Sequence, residues 1–216
     1  MELSRIAAAE LARHLARGGS LSLAGGSTPR GAYELLAGER GVSWERVSLY
    51  FGDERAVPPD DPRSNYRMVR EALIDRLAVG PRVHRMEGDA ADLEAAARRY
   101  DEQLPDRLDV LVLGMGADGH TASLFPGSPA LRETRRRVVP VEAPADPPRR
   151  LTVTPPVIAA ARQVVVIVSG ADKAAAVARA LEGAMDEDAV PAALARHGLW
   201  LLDRAAAGRL STCNSE

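Results

Sequence analysis

Seven short apolar runs punctuate the chain: Leu21 to Leu23, Val47 to Phe51, Val110 to Leu113, Val138 to Val141, Leu151 to Val153, Val164 to Val168 and Leu199 to Leu202. Stretches rich in Ala, Arg and Glu, such as Leu93 to Gln103 and Lys173 to Leu181, separate several of them and are long enough to be crossover helices. Strands that alternate with helices pair mainly in parallel, with helices covering the sheet. Ahead of the first run, Leu3, Ala7, Leu11 and Leu15 recur every fourth residue among Glu and Arg, the pattern of an amphipathic helix that Gly18-Gly19 would end. The expected fold class is therefore α/β: a mainly parallel, Rossmann-like sheet with helices on both faces.

The length, 216 residues, fits one large domain. The proline-rich stretches at Pro58-Pro59, Pro144 to Pro148 and Pro155-Pro156 are too short to separate two cores, so residues 1–216 are read as a single domain. A composition of 46% apolar and 27% charged residues sets aside collagen-like, disordered and disulfide-scaffold chains. A formal charge of −2 supplies no basic field for nucleic acid or an anionic membrane, and 4% aromatic residues supply no base-stacking platform. The longest apolar runs are five residues, against the roughly 20 that a membrane helix needs.

Glu2, Arg5, Glu10 and Arg13 interrupt the stretch in which a signal peptide would need its apolar segment, so the expected location is the cytoplasm. Cys213 is the only cysteine and lies three residues from the C-terminus; it cannot form an internal disulfide and is expected to have no chemical role. A monomer is expected ahead of an oligomer.

In open parallel sheets ligands bind beyond the carboxyl ends of the strands, so chemistry is sought in the loops that follow them. Four such loops stand out: Ala24 to Arg30, Gly52 to Arg55, Gly114 to Thr121 and Ser169 to Lys173. The first has two glycines that let a ligand approach the backbone, then Ser27, Thr28 and Pro29 where a helix would begin. Its amides and the positive end of that helix would favour a phosphate, although a plain strand-to-helix turn reads the same way.

Gly114-x-Gly116-x-x-Gly119 matches the spacing of a dinucleotide fingerprint, with Glu142 near the distance of a ribose-binding acid. The fingerprint needs a long helix starting inside it, however, and Pro126 arrives too soon. What this loop offers instead is Asp118 two residues before His120. An imidazole serves as a general base at neutral pH, and a nearby carboxylate can orient it and stabilise its charged form. A turn histidine bonded to the backbone is the alternative. His14, His84 and His197 are read as structural or solvated.

Lys173 is the only lysine among 28 basic residues. A lysine retained at a helix start, where a cation is unfavourable, suggests an anionic partner, with chance as the alternative. The sequence has no G-x-S-x-G elbow, Walker loop, H-E-x-x-H motif or Cys/His cluster at metal spacing, so no metal and no cofactor are expected. The arginines at 135–137 and 149–150 read most simply as solvated faces, with a basic rim near a phosphate site as the alternative.

Together these stretches resemble the 6-phosphogluconolactonases, the sugar-lactone hydrolases of the pentose phosphate pathway, within the glucosamine-6-phosphate isomerase/6-phosphogluconolactonase family. The matching segments are Leu23 to Pro29, Gly52 to Arg55 with Val57-Pro58 and Ser64-Asn65-Tyr66, Gly114 to Pro126, Arg150 to Thr154, Ser169 to Lys173, and Trp200 to Asp203. The family is similar in fold to sugar-phosphate deaminases and isomerases, and the Asp-Glu-Arg and Ser-Asn-Tyr pairing favours the lactonase. The chain departs from the family pattern in that an extra strand and some twenty residues are usual before the first helix, so it reads as trimmed at one sheet edge or as using an alternative start, and in Pro156 where a leucine is usual.

The resemblance implies that His120 activates the water that attacks the lactone carbonyl, supported by Asp118, and returns the proton to the ring oxygen. It implies that Gly26, Ser27, Thr28 and Lys173 hold the phosphate, in agreement with the physical reading of those loops, and that Asp53 and Arg55 line the sugar site. The expected partner is thus a small sugar-phosphate lactone. The competing readings are a deaminase or isomerase, with Asp53 moving a proton on the sugar carbon, and a sugar-phosphate sensor without catalysis.

Overall fold

The computed structural model describes residues 1–211; Cys213 lies outside them. The elements run α1 (Glu2–Leu15), β1 (Gly19–Leu23), α2 (Ser27–Leu36), β2 (Val47–Phe51), β3 (Asp53–Arg55), α3 (Asn65–Ala72), β4 (Arg82–Val83), α4 (Leu93–Gln103), β5 (Val110–Leu113), β6 (Val138–Glu142), β7 (Arg149–Val153), α5 (Pro155–Ala160), β8 (Gln163–Val168), α6 (Ala174–Glu182) and β9 (Leu199–Leu202). Six strands form one sheet in the order β4-β2-β1-β5-β8-β9, and every pair is parallel.

Burial along the central strands reports coverage on both faces. Successive side chains of a strand point to opposite sides, yet Ser20 to Leu23, all of β5 and Val164 to Val168 are buried. Truncating a leucine in the middle of this layer, such as Leu111, is expected to cost about 2–5 kcal/mol. On α1 the residues Ala7, Ala8, Leu11 and Leu15 face the core, close to the periodicity in the sequence. Pro155 and Pro156 occupy the first positions of α5, where a missing N–H leaves no helical bond unmade. Among the described residues, no helix is long and apolar enough to cross a membrane.

Two of the seven apolar runs do not join the parallel sheet. Val138 to Val141 and Leu151 to Val153 belong to β6 and β7, which with β3 form a separate three-stranded antiparallel sheet. The reason is the connection: only residues 143–148 lie between β6 and β7, too few for the crossover that parallel strands require. Both sheets feed one apolar cluster, in which Val138, Val139, Leu151 and Val153 join residues of β1, β5 and β8. Chain order reverses between β1 and β5, since β2 lies on one side of β1 and β5 on the other. That switch point opens a crevice beyond the strand ends.

Candidate active site

The loops after β1, β2, β5 and β8 converge on this crevice. Gly26, Ser27, Thr28, Asp53, Arg55, His120 and Lys173 all line one cleft of about 280 Å³, and Asp118 reaches it through His120.

At one end, Gly26 precedes α2 with φ +102°, a conformation open to glycine, and so turns the chain from β1 into the helix. Ser27 and Thr28 open the first turn of α2, whose amides have no partner inside the helix, and Pro29 contributes no N–H at all. Thr28 Oγ1 lies 2.7 Å from Ser169 Oγ, which joins the loop after β1 to the loop after β8. Lys173 closes a 3-10 turn over Ala171–Lys173 and stands at the start of α6. Its Nζ is 3.0 Å from Asp172 Oδ2, but the Asp172 side chain is mostly exposed while that of Lys173 is mostly covered. Two hydroxyls, unpaired helix amides and one ammonium thus face the same space.

At the other end, the loop after β5 folds back on itself instead of starting a helix. The Gly116 N–H donates to the His120 carbonyl, and the Gly119 N–H to the Gly116 carbonyl. A side chain at Gly116 would overlap both the His120 ring and the Asp118 carboxylate. Gly116 therefore serves the Asp118–His120 pair, and no long helix starts inside the loop as a dinucleotide fingerprint requires; Glu142 ends the antiparallel β6, exposed. Asp118 Oδ1 lies 2.6 Å from His120 Nδ1 and also accepts the His120 backbone N–H at 3.1 Å. Burial pushes the Asp118 carboxyl up, but the backbone N–H, charge and ring of His120 outweigh it and hold the group below the ordinary carboxylate range. With Nδ1 facing a carboxylate, the ring's proton belongs there, and Nε2 keeps its lone pair.

Asp53 and Arg55 line the cleft from β3, with Glu54 between them pointing away, as strand alternation requires. The buried Asp53 carboxylate accepts from Asn65 Nδ2 at 2.9 Å and from Ser123 Oγ at 2.6 Å. Arg55 donates through Nη1 to the Arg63 carbonyl. Glu54 accepts four bonds, from the N–H groups of Arg55, Asn65 and Tyr66 and from the Ser64 hydroxyl, and so clamps the start of α3 against β3. Burial raises its carboxyl above the ordinary range against the pull of those donors.

Sequence reasoning missed several of these groups. Asn65 and Ser123 lie in stretches that resemble the family, but neither type signals a role by itself. Arg150, expected on a solvated face, is buried: its Nε donates to the Pro147 carbonyl at 3.0 Å, and its guanidinium carbon lies 5.5 Å from the centre of the Phe125 ring. Phe125 in turn packs against His120 with ring centres 4.4 Å apart. Arg137 also departs from the solvated reading, since it is half-buried and bonds to Asp101 and to the carbonyls of Leu104 and Pro105. His84 stacks on Tyr50, His14 pairs with Glu10 and His197 is exposed, as their structural or solvated reading expects.

Comparisons with known proteins place the chain within a family. The family model described as glucosamine-6-phosphate isomerases/6-phosphogluconolactonase matches residues 2–201. A 6-phosphogluconolactonase of Streptomyces coelicolor is 42% identical over 214 residues, covering 88% of this chain and 82% of that protein. One of Mycobacterium tuberculosis is 42% identical over 194 residues, covering 82% and 78%. Among solved structures, the 6-phosphogluconolactonase of Trypanosoma brucei superposes with a TM-score of 0.82 at 30% identity over 97% of this chain and 95% of that one. A monomeric glucosamine-6-phosphate deaminase superposes with a TM-score of 0.85 at 29% identity over 96% and 95%. With its cleft at the β1/β5 switch point and a family match over nearly its whole length, the chain belongs to the glucosamine-6-phosphate isomerase/6-phosphogluconolactonase family.

Proposed function

We propose that the chain is a cytoplasmic 6-phosphogluconolactonase, a monomer in which residues 1–216 act as one domain to hydrolyse 6-phospho-D-glucono-1,5-lactone to 6-phosphogluconate in the pentose phosphate pathway. The observation that carries the reading is the Asp118–His120 pair, opening on the same cleft as the anion-binding elements at Gly26, Ser27, Thr28 and Lys173. The names of the relatives support the same substrate.

In this reading the phosphate sits against the first turn of α2 and the Lys173 ammonium, and the sugar runs past Asp53 and Arg55 toward His120. His120 Nε2 takes a proton from water as the oxygen attacks the lactone carbonyl carbon, and Asp118 stabilises the imidazolium that forms. The carbon–ring-oxygen bond of the tetrahedral adduct then breaks, and His120 returns the proton to the departing ring oxygen. The acid product ionises and releases one proton to solvent. A δ-lactone is an activated ester, so a positioned base worth about 10²–10⁴ together with orientation suffices without a covalent intermediate or a cofactor.

The similarity to a deaminase favours a second reading, in which Asp53 moves a proton on the sugar carbon. Against it, both Asp53 oxygens already accept hydrogen bonds from Asn65 and Ser123. Supplying the protein separately with the phospholactone and with glucosamine 6-phosphate distinguishes the two. The lactonase reading expects acid release above the spontaneous rate and no ammonia; ammonia release without accelerated acid release overturns it.

A further inference from the structure

The cleft has a second cationic wall. Arg150 is only 6% exposed yet lines it, and its two hydrogen-bonding neighbours are neutral: the Pro147 carbonyl, and the Ser123 hydroxyl 3.5 Å from Nη1. Asp53 reaches Arg150 only through that shared hydroxyl. Burial lowers the guanidinium from its ordinary value and Arg55 pushes it the same way, while the charges of Asp53 and Asp146 oppose them. A covered cation bonded to neutral groups gains from an arriving anion and penalises an arriving cation. Its position matters as much as its charge, because the guanidinium covers one side of Phe125 and His120 packs against the same ring.

We infer that Arg150 reads the charge at the reacting end of the sugar phosphate, favouring a carboxylate or oxyanion at C1 and rejecting an ammonium on the neighbouring carbon. This rests on the sugar-phosphate reading above and deepens it. With the phosphate at Lys173 and C1 at His120, C1 and C2 face the part of the cleft that Arg150 lines, with Phe125 packed behind both His120 and the guanidinium. During lactone hydrolysis negative charge develops on the carbonyl oxygen and ends as a carboxylate. An amino sugar presents a positive charge one carbon away, on C2. One guanidinium therefore separates the two substrate classes whose names occur among the relatives of this chain.

Three ligands with the same phosphate and chain length test this by calorimetry: 6-phosphogluconate (carboxylate), glucitol 6-phosphate (neutral) and glucosamine 6-phosphate (ammonium). The wild type is expected to prefer the carboxylate over the neutral ligand by about tenfold or more, as charge-assisted bonds to a guanidinium do, with the ammonium ligand weakest. Arg150→Gln collapses this spread, Arg150→Lys retains part of it, and Lys173→Ala weakens all three by a common factor. Asp53→Asn removes the nearer of the two opposing carboxylate charges and widens the preference, a prediction that holds even where Arg150→Gln fails to fold. The inference is overturned by a wild type without the spread, by Arg150→Gln keeping it, by Asp53→Asn leaving the ratio unchanged, or by a Lys173→Ala loss confined to the carboxylate ligand. Failure of the wild type to bind any of the three overturns the sugar-phosphate reading itself.

Discussion

One oxygen of Asp118 holds His120 twice: Oδ1 accepts the backbone N–H at 3.1 Å and lies 2.6 Å from Nδ1 of the ring. The carboxylate therefore ties the imidazole to its own main chain and leaves Nε2 as the free basic atom. Asp118→Asn can turn an amide N–H toward Nδ1 and stabilise the opposite tautomer. It is expected to lower kcat about ten- to a hundredfold with little change in KM, a smaller loss than removal of the base. Steady-state acid release measures this, and an unchanged kcat would detach Asp118 from the mechanism.

Two carboxyls give the stability of the fold opposite dependences on pH. Asp118 is held below the ordinary carboxylate range, so its contribution is present above the unfolded value and lost as pH falls through the folded one. Glu54 is raised by burial, so its contribution is full below the unfolded value and declines as pH rises through the folded one. The stability difference between wild type and Asp118→Asn should therefore shrink as pH is lowered from about 5 toward 2. Glu54→Gln places an amide donor among four donors and is expected to cost about 1–3 kcal/mol. Denaturant midpoints across pH check both; an unchanged midpoint in Glu54→Gln would mean the clamp on α3 is dispensable.

Lys173→Ala removes one charge-assisted contact to the phosphate, an effect of about 1.5–3 kcal/mol seen mainly as a raised KM. Lys173→Arg should recover part of it, because a broader guanidinium delivers its charge along a different geometry. Inorganic phosphate should compete with substrate in the wild type and less well in Lys173→Ala. An unchanged KM together with unchanged phosphate inhibition would show that Lys173 does not hold the phosphate.

The residues of the cleft were legible in the sequence to different depths. Gly26 to Thr28, His120 with Asp118, and Lys173 each follow one of the apolar runs, so the alternation of strands and helices alone puts them at the mouth of the sheet. The strands β3 and β4 escape that logic: they have three and two residues, and Asp53-Glu54-Arg55 carries no apolar side chain to mark it. Arg150 reads first as solvated because it stands beside Arg149 in a basic pair, whereas β7 exposes Arg149 and buries Arg150 against the cleft, nearer to the basic-rim alternative. Asn65 and Ser123 owe their roles to Asp53, 12 and 70 positions away, a distance at which local pattern is silent.

Among the described residues, no group of three or more His, Cys, Asp or Glu side chains is placed to hold a metal ion. Prolonged treatment with EDTA is accordingly expected to leave kcat unchanged. Loss of activity restored by a divalent ion would contradict the metal-free route.

The most direct test of the account is the kcat of His120→Ala on the phospholactone, measured by acid release after subtraction of spontaneous hydrolysis. Loss of a general base predicts a fall of about two or more orders of magnitude in a protein that still unfolds cooperatively. A folded His120→Ala variant that keeps more than half of the wild-type kcat would contradict the account at its centre.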